Sequence, residues 1–500
     1  MIAPLPTDPP VRRISVAHEA RARRWTVAGD AGRMDLGEAA IVTPGEADGG
    51  PLVAAGQRLR VALMAGPDRQ LEQAARRGLL AAAAETVLVL RSDEELSFGE
   101  RASALREAKA DVALVLAGDG KHADGVVLLC EAFRYACAEQ HPRPRVVVSG
   151  EPRAALRLHH VLSHFATEIV SDPRRDDGLA ALVGHVRQLR RGADASIVLR
   201  DEALESLARA IARDAGVPAA VIDVSGSSTS LVRAEPAGAI VAAHLVPLGS
   251  GRAADRVVAR AGLDRVRRWI PWAVDAPSLL ERVFNRARWP DAVPAEPLAL
   301  ALEIALSHEA IAHALADAAA TGIPAMRFRS ASVIVLTGRV AELPRASQTL
   351  LVAANALQPT EVTTVARDRD DALVALGGIA ARIAAADGDG SVAIARSAEA
   401  HRALLGVIVP VVAGRRTTLR VTLGATYTEQ IARGAFFTLA ASGAVQVSVS
   451  GGVSGRGIAG PLGILVDARG TPLALPPRDA ERVPAVARWF AAVDAMSAAA

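Results

Sequence analysis

Aromatic residues are scarce, with Phe, Trp and Tyr making up 3% of the 500 residues. So few rings leave no stacking platform for bases, and the 51% hydrophobic content falls to alanine, valine and leucine. That composition favours close-packed helices and parallel strands. Lysine occurs only at Lys109 and Lys121, so Lys121 is almost the sole candidate for a phosphate-gripping or Schiff-base lysine. The arginine excess that replaces it reads as the codon bias of a GC-rich genome. Only two cysteines are present, Cys130 and Cys137. On one helix they lie about 10.5 Å apart along the axis, beyond the roughly 7 Å a disulfide tolerates. They read as buried thiols in a reducing, cytoplasmic compartment. The start of the chain, Met1 to Arg13, holds four prolines and no apolar core of a secretory signal. The longest apolar helical stretch, Pro297 to Ala320, is broken by Glu303, His308, Glu309, His313 and Asp317, so no membrane span is expected. The net charge is only +3, and the pI of 9.3 reflects how few groups titrate between about pH 7 and 10 rather than a nucleic-acid surface.

At roughly 150 residues per domain the chain allows two to four domains, large enough to fold without disulfides or metals. Residues 1–56 read as an irregular N-terminal segment. From Arg58, short β-branched runs at Val61 to Met64, Thr86 to Leu90, Asp111 to Ala117 and Arg145 to Ser149 alternate with amphipathic helical stretches. This is the βαβ rhythm of a parallel doubly wound sheet, and it places an α/β domain over 57–200. Over 201–390 a polar helix leads into three short strands joined by tight turns, beginning at Ala219. Gly249-Ser250-Gly251 then opens a helix, a long helical region runs from about Ser278 to Thr321, and a strand at Ser332 to Leu336, a helix near Ala346 to Ala356 and a helix from Asp370 to Ala386 follow. Asp387 to Ser391 reads as a linker. Residues 391–500 read as a small β-rich domain closed by a helix at Asp479 to Ala499.

The most informative segment runs from Val221 to Val232. An apolar strand delivers one carboxylate, Asp223, into a turn of small residues, Ser225, Gly226, Ser227, Ser228 and Thr229. Such a turn lets backbone N–H groups and hydroxyls approach a phosphate while the aspartate holds Mg²⁺ through water. The same residues also make an ordinary serine-rich β-hairpin. A second strand ends in Thr337-Gly338, a position where α/β sheets bind sugars or bases. Ala117-Gly-Asp-Gly-Lys121 follows a strand and precedes a helix, as an anion site would, but lacks the spacing of a P-loop. Gly455-Arg-Gly-Ile-Ala-Gly460 matches a dinucleotide fingerprint, yet Pro461 and Gly463 stand where a helix is required. His308 and His313 sit five apart, about 140° around a helix, and cannot chelate one metal from it. His160 and His164 share a helical face without a third ligand. No hydrolase triad assembles.

In their order along the chain, the Asp223 to Leu245 segment, the turn Gly249 to Gly251, Thr337-Gly338 and the stretch from Leu357-Gln-Pro359 to Gly378 resemble the glutamate mutase-associated MutL (GlmL) family. That family belongs to the actin/Hsp70/sugar-kinase superfamily, and the resemblance covers about Arg58 to Ala386. It implies actin-like, ribonuclease H-like lobes, ATP and Mg²⁺ as cofactors, and a chaperone-type role beside an adenosylcobalamin-dependent mutase subunit. By the same resemblance Asp223 is the metal residue, and Ser225 to Thr229, Gly249, Gly251, Thr337 and Gly338 line the nucleotide. The departures are specific. Ser225 replaces a loop glycine, Ser230 a final aspartate and Arg339 the second glycine of a T-G-G turn. The family's N-terminal D-x-G-S-T loop has no counterpart between Met1 and Gly56. The expected function is therefore a GlmL-like accessory protein with weak or lost ATPase activity. The alternatives are a working Mg-ATP-dependent enzyme of the superfamily, or an interaction protein acting through residues 391–500.

Overall fold

The computed structural model describes residues 56–118, 123–192, 197–292, 296–369, 371–387 and most of 403–499. Before residue 56 it describes three strands, β1 (Ser15–Glu19), β2 (Arg24–Gly29) and β3 (Gly32–Asp35), and the short β4 (Val53–Ala54). Within the segment read as irregular, β1 to β3 form an antiparallel sheet.

Next come β5 (Arg60–Ala65), α1 (Arg69–Ala81), β6 (Glu85–Arg91), α2 (Phe98–Ala108), β7 (Val112–Leu116), α3 (Ala123–Cys137), β8 (Arg145–Ser149), α4 (Pro152–Val161), β9 (Thr167–Val170) and α5 (Asp176–Arg191). The five strands pair in the order β6-β5-β7-β8-β9, all parallel. β5, β7 and β8 are almost wholly buried, as strands covered on both faces must be. Helices α2, α3 and α4 cover one face and α1 and α5 the other. α4 stops at Val161, so His164 lies beyond the helix and shares no face with His160. Cys130 and Cys137 are buried and free, and burial pushes their thiols up to about 12 and about 11.

Past this layer β10 (Val198–Leu199) pairs with β4 and runs into α6 (Arg200–Ala215). There follow β11 (Ala219–Val224), β12 (Thr229–Ala234), β13 (Ile240–Val246), α7 (Ala254–Ala261), α8 (Leu263–Arg267), α9 (Ala276–Arg288), α10 (Pro297–Ala320), α11 (Met326–Arg329), β14 (Val333–Gly338), α12 (Ala346–Val352), a π-helical turn (Ala353–Leu357), β15 (Thr363–Asp368) and α13 (Ala372–Asp387). The stretch expected as one helix from Ser278 to Thr321 is two, because Pro290 and Pro294 interrupt the ladder between α9 and α10. α10 has the length and hydropathy of a spanning helix, and its apolar side chains are buried in the largest core cluster.

The last region contributes β16 (Leu404–Val412), β17 (Thr418–Leu423), β18 (Tyr427–Ala432), β19 (Phe436–Leu439), β20 (Gly443–Val449), β21 (Ser454–Ala459), β22 (Ile464–Thr471) and α14 (Asp479–Ala499). Gly455 to Ala459 lie in strand β21, so the G-x-G-x-x-G match opens no helix. An eight-stranded sheet runs β13-β12-β11-β14-β15-β16-β22-β19, and a four-stranded sheet runs β18-β17-β20-β21. In the first five strands of the larger sheet only β12 opposes the others, since β11 pairs parallel with β14 and β14 with β15. The chain is thus a mixed α/β protein built on two sheets with long parallel runs.

Candidate functional site

The parallel pairing of β11 with β14 brings the two sequence motifs together, with Asp223 opposite Thr337 and Val224 opposite Gly338. The serine turn and the Thr337-Gly338 turn are therefore neighbours at the C-terminal ends of adjacent central strands, where α/β sheets commonly place ligands.

Arg200, the first residue of α6, fills the space between the carboxylates. Its Nε and Nη2 donate to Asp223 Oδ2 and Oδ1 at 2.9 and 3.1 Å, and its Nη1 and Nη2 donate to Asp371 Oδ2 and Oδ1 at 3.0 Å each. One planar guanidinium thus makes paired contacts to two carboxylates, the geometry in which arginine binds most strongly. Burial alone would lower its pKa, but Asp223 and Asp371 more than reverse that and hold the cation charged. Thr337 Oγ1 donates to Asp371 Oδ1 at 3.0 Å. Asp368 caps α13 through the N–H groups of Leu373 and Val374 at 3.1 and 3.0 Å. Burial and the like charge of Asp371 push its carboxyl up to about 7.

The serine turn is closed on itself. The Ser225 N–H donates to Ser228 O at 2.8 Å, and Ser225 Oγ accepts the N–H groups of Ser227 and Ser228 at 3.3 and 3.0 Å. Thr229 Oγ1 donates to Leu248 O at 2.8 Å. The turn's carbonyls are engaged as well, Ser225 O by Ser250 N and Gly226 O by Gly251 N and Ala253 N. Gly249 and Gly251 make that stacking possible: a Cβ on Gly249 would lie 2.5 Å from Ser225 O, and one on Gly251 would lie 2.9 Å from Gly226 Cα. All ten residues expected around a nucleotide are thus brought together, but as two turns packed backbone to backbone.

Two residues complete the closure. Gly338 has φ +72°, and a Cβ there would sit 2.5 Å from Asp223 Oδ1. Its neighbour Arg339 passes beside Gly226, with Cδ 3.7 Å from the position of a Cβ on that residue, and its Nε donates to Glu303 Oε1 at 3.1 Å. Glu303, on α10, also accepts from Ser250 Oγ at 2.7 Å and pairs with Arg286 at 2.6 Å. Burial pushes its carboxyl up to about 6 against the pull of Arg286 and Ser250. Six residues below it, Glu309 receives the Trp269 indole N–H at 2.9 Å, with His308 and His313 beside it. Burial opposes ionisation of Glu309, but His308, Trp269 and Arg265 lower it to about 2.

A divalent ion and nucleotide phosphates do not fit this arrangement. Both oxygens of Asp223 are engaged by a guanidinium, the threonine hydroxyls donate to protein oxygens, and the turn's own serine takes the N–H groups a phosphate would need. Among the described residues no cluster of three or more His, Cys, Asp or Glu is arranged to hold a metal. Gly118 lies in the turn just past β7, at φ +61°, but residues 119–122, including Lys121, lie outside the described residues. A cavity of about 10 Å³ beside Gly118, lined by Gly66, Asp68 and Leu116, has room for about one water.

Sequence reasoning missed Arg200, Asp368, Asp371, Arg286 and Glu303. Arg200 did leave one signal: a basic residue at the first position of a helix, where the dipole favours acids, is out of place unless carboxylates await it.

No family model matches the chain, and no curated protein matches it. Among solved structures, the crystal structure of an archaeal actin homologue aligns with 75% of this chain and 98% of its own, at 11% identity and a TM-score of 0.24. A likeness at that level carries no functional weight.

Proposed function

We propose that this chain is a GlmL-like member of the actin/Hsp70/sugar-kinase superfamily that has exchanged nucleotide chemistry for a fixed scaffold and acts by binding protein. The strand order β13-β12-β11-β14-β15, with only β12 reversed, supports the superfamily reading, because a ribonuclease H-like lobe is built that way. The loss of ATPase activity rests on one observation: the Arg200 guanidinium engages both carboxylate oxygens of Asp223, the residue expected to hold Mg²⁺, together with both oxygens of Asp371. An arginine tethered to a helix supplies the positive charge permanently, so no ATP-bound metal is needed to balance the carboxylates. The partner class, an adenosylcobalamin-dependent mutase subunit, follows from the family resemblance.

Isothermal titration of the full chain with ATP and Mg²⁺ tests the reading. No binding heat and no phosphate release are expected. Saturable binding with hydrolysis that Asp223→Ala abolishes would refute it. For the partner, a cobalamin-binding mutase subunit encoded beside this chain is expected to co-elute with it on size exclusion, and separate elution of the two would remove the mutase from the proposal.

A further inference from the structure

Two exposed aromatic faces of opposite charge lie on different parts of the molecule. The first is on α2 and α3. Phe98 and Tyr135 are 48% and 65% exposed, with ring centroids 5.8 Å apart. On α3, Asp124, Leu128, Glu131 and Tyr135 recur at four-, three- and four-residue spacing, which aligns them on one outward stripe. Residues 93–100 and 124–139 together carry seven carboxylates and one arginine. Among the described residues Glu95, Glu131 and Glu139 meet no cation, although all three are exposed.

The second face is on α9. Leu279 and Val283 point into the core, while Leu280, Phe284 and Arg288 follow one another at four-residue intervals on the outer side. Trp289, 63% exposed, lies next to them with the Arg288 guanidinium 5.8 Å from its ring centroid. Residues 252–292 carry nine arginines against five carboxylates, so this segment alone is more positive than the whole chain. Arg268 and Arg288 have no carboxylate partner among the described residues. In a chain with 15 aromatic residues, placing four of them on two outward faces is uneconomical for a molecule that stays alone.

The two faces are not placed to serve each other within one copy. The N-terminal sheet meets the rest of the protein through α1, which touches β13, and through α5, whose Arg187 binds Asp201 and Glu205. α2 and α3 cover the opposite side of that sheet. We propose that copies of this chain associate head to tail, with the acidic aromatic face of α2 and α3 in one copy seated on the basic aromatic face of α9 in the next. Aromatic and arginine side chains are the usual anchors of protein interfaces, and the opposed charges set the orientation. Because the two faces differ, the contact is heterologous. A net charge of +3 opposes it little.

Sedimentation velocity of the full chain at rising concentration tests this. Mass should grow with concentration, and less so at high salt. Glu131→Arg and Arg288→Glu, each shown to be folded by its melting temperature, should each weaken association about tenfold or more. Mixed in equal amounts they should recover pairing, because each variant keeps the face the other has lost. A wild type that sediments as a monomer throughout, single variants that associate as tightly as wild type, or a mixture that fails to recover would each overturn the proposal.

Discussion

Replacing Arg200 with alanine removes a cation from between two carboxylates and leaves them without its four hydrogen bonds. Deleting one partner of a buried ion pair costs about 3–5 kcal/mol, since the remaining charge stays desolvated. The Arg200 side chain keeps 24% of its exposure, while Asp223 and Asp371 keep 6% and 7%, so water partly screens the cation and the lower end, about 3 kcal/mol, applies. For a domain of this size that is a fall in melting temperature of roughly 6–12 °C at neutral pH. The loss should depend on pH in a defined sense. Without the guanidinium the carboxylates repel one another, and protonation relieves the repulsion, so the gap between variant and wild type narrows as pH falls and widens as it rises. Differential scanning fluorimetry across that range, with and without Mg²⁺, measures it, and a divalent ion should recover part of the stability of the variant while leaving wild type unchanged. A fall of under about 2 °C, or a loss equal at acid and alkaline pH, would refute the claim that Arg200 balances these charges.

Gly338→Ala should cost roughly 2–4 kcal/mol, because the φ of +72° is strained for alanine and the methyl group meets Asp223 Oδ1 and Val224 O, whereas Gly226→Ala, with its nearest neighbour 3.7 Å away, should stay within about 0.5 kcal/mol; chemical denaturation of both compares them. Asp368, held near 7, has a folded-state pKa above its unfolded value of 3.8, so it stabilises the fold most at low pH and loses that contribution as pH rises toward 7; in Asp368→Asn the stability–pH slope between those limits should flatten. Glu303, raised from 4.5 to about 6, acts in the same sense over a narrower window, and Glu303→Gln should flatten the slope between those two values. Cys130 and Cys137, buried with raised thiol pKa values, should not react with Ellman's reagent until the protein unfolds, and rapid labelling of the native chain would contradict their placement.

Local patterns in the chain mark the parallel N-terminal sheet and the hairpin at Asp223, because buried strands read as β-branched runs and tight turns as glycine and serine. The meeting of Asp223 with Thr337 followed from motif order. The closure of the site did not, since Arg200 reaches Asp371 across 171 residues, a contact no local pattern encodes. β9, with two of its four residues exposed, and β15, with only three residues between it and α13, are too short or too crowded to register as periodic segments. The π-helical turn at Ala353 to Leu357 falls at the end of the helix expected near Ala346 to Ala356, because its apolar residues continue the preceding run.

β16 pairs antiparallel with β15, and β22 and β19 lie beyond it, so residues past the linker are woven into the same sheet that carries Asp223. A chain shortened after Ala386 would bare the outer side of β15 and strip cover from Val365 and Leu357. An uncovered strand of that kind recruits foreign strands and precipitates. Dissecting this protein by amputation would therefore yield aggregates, and the separate contributions of its regions are better told apart by altering single side chains in the intact molecule.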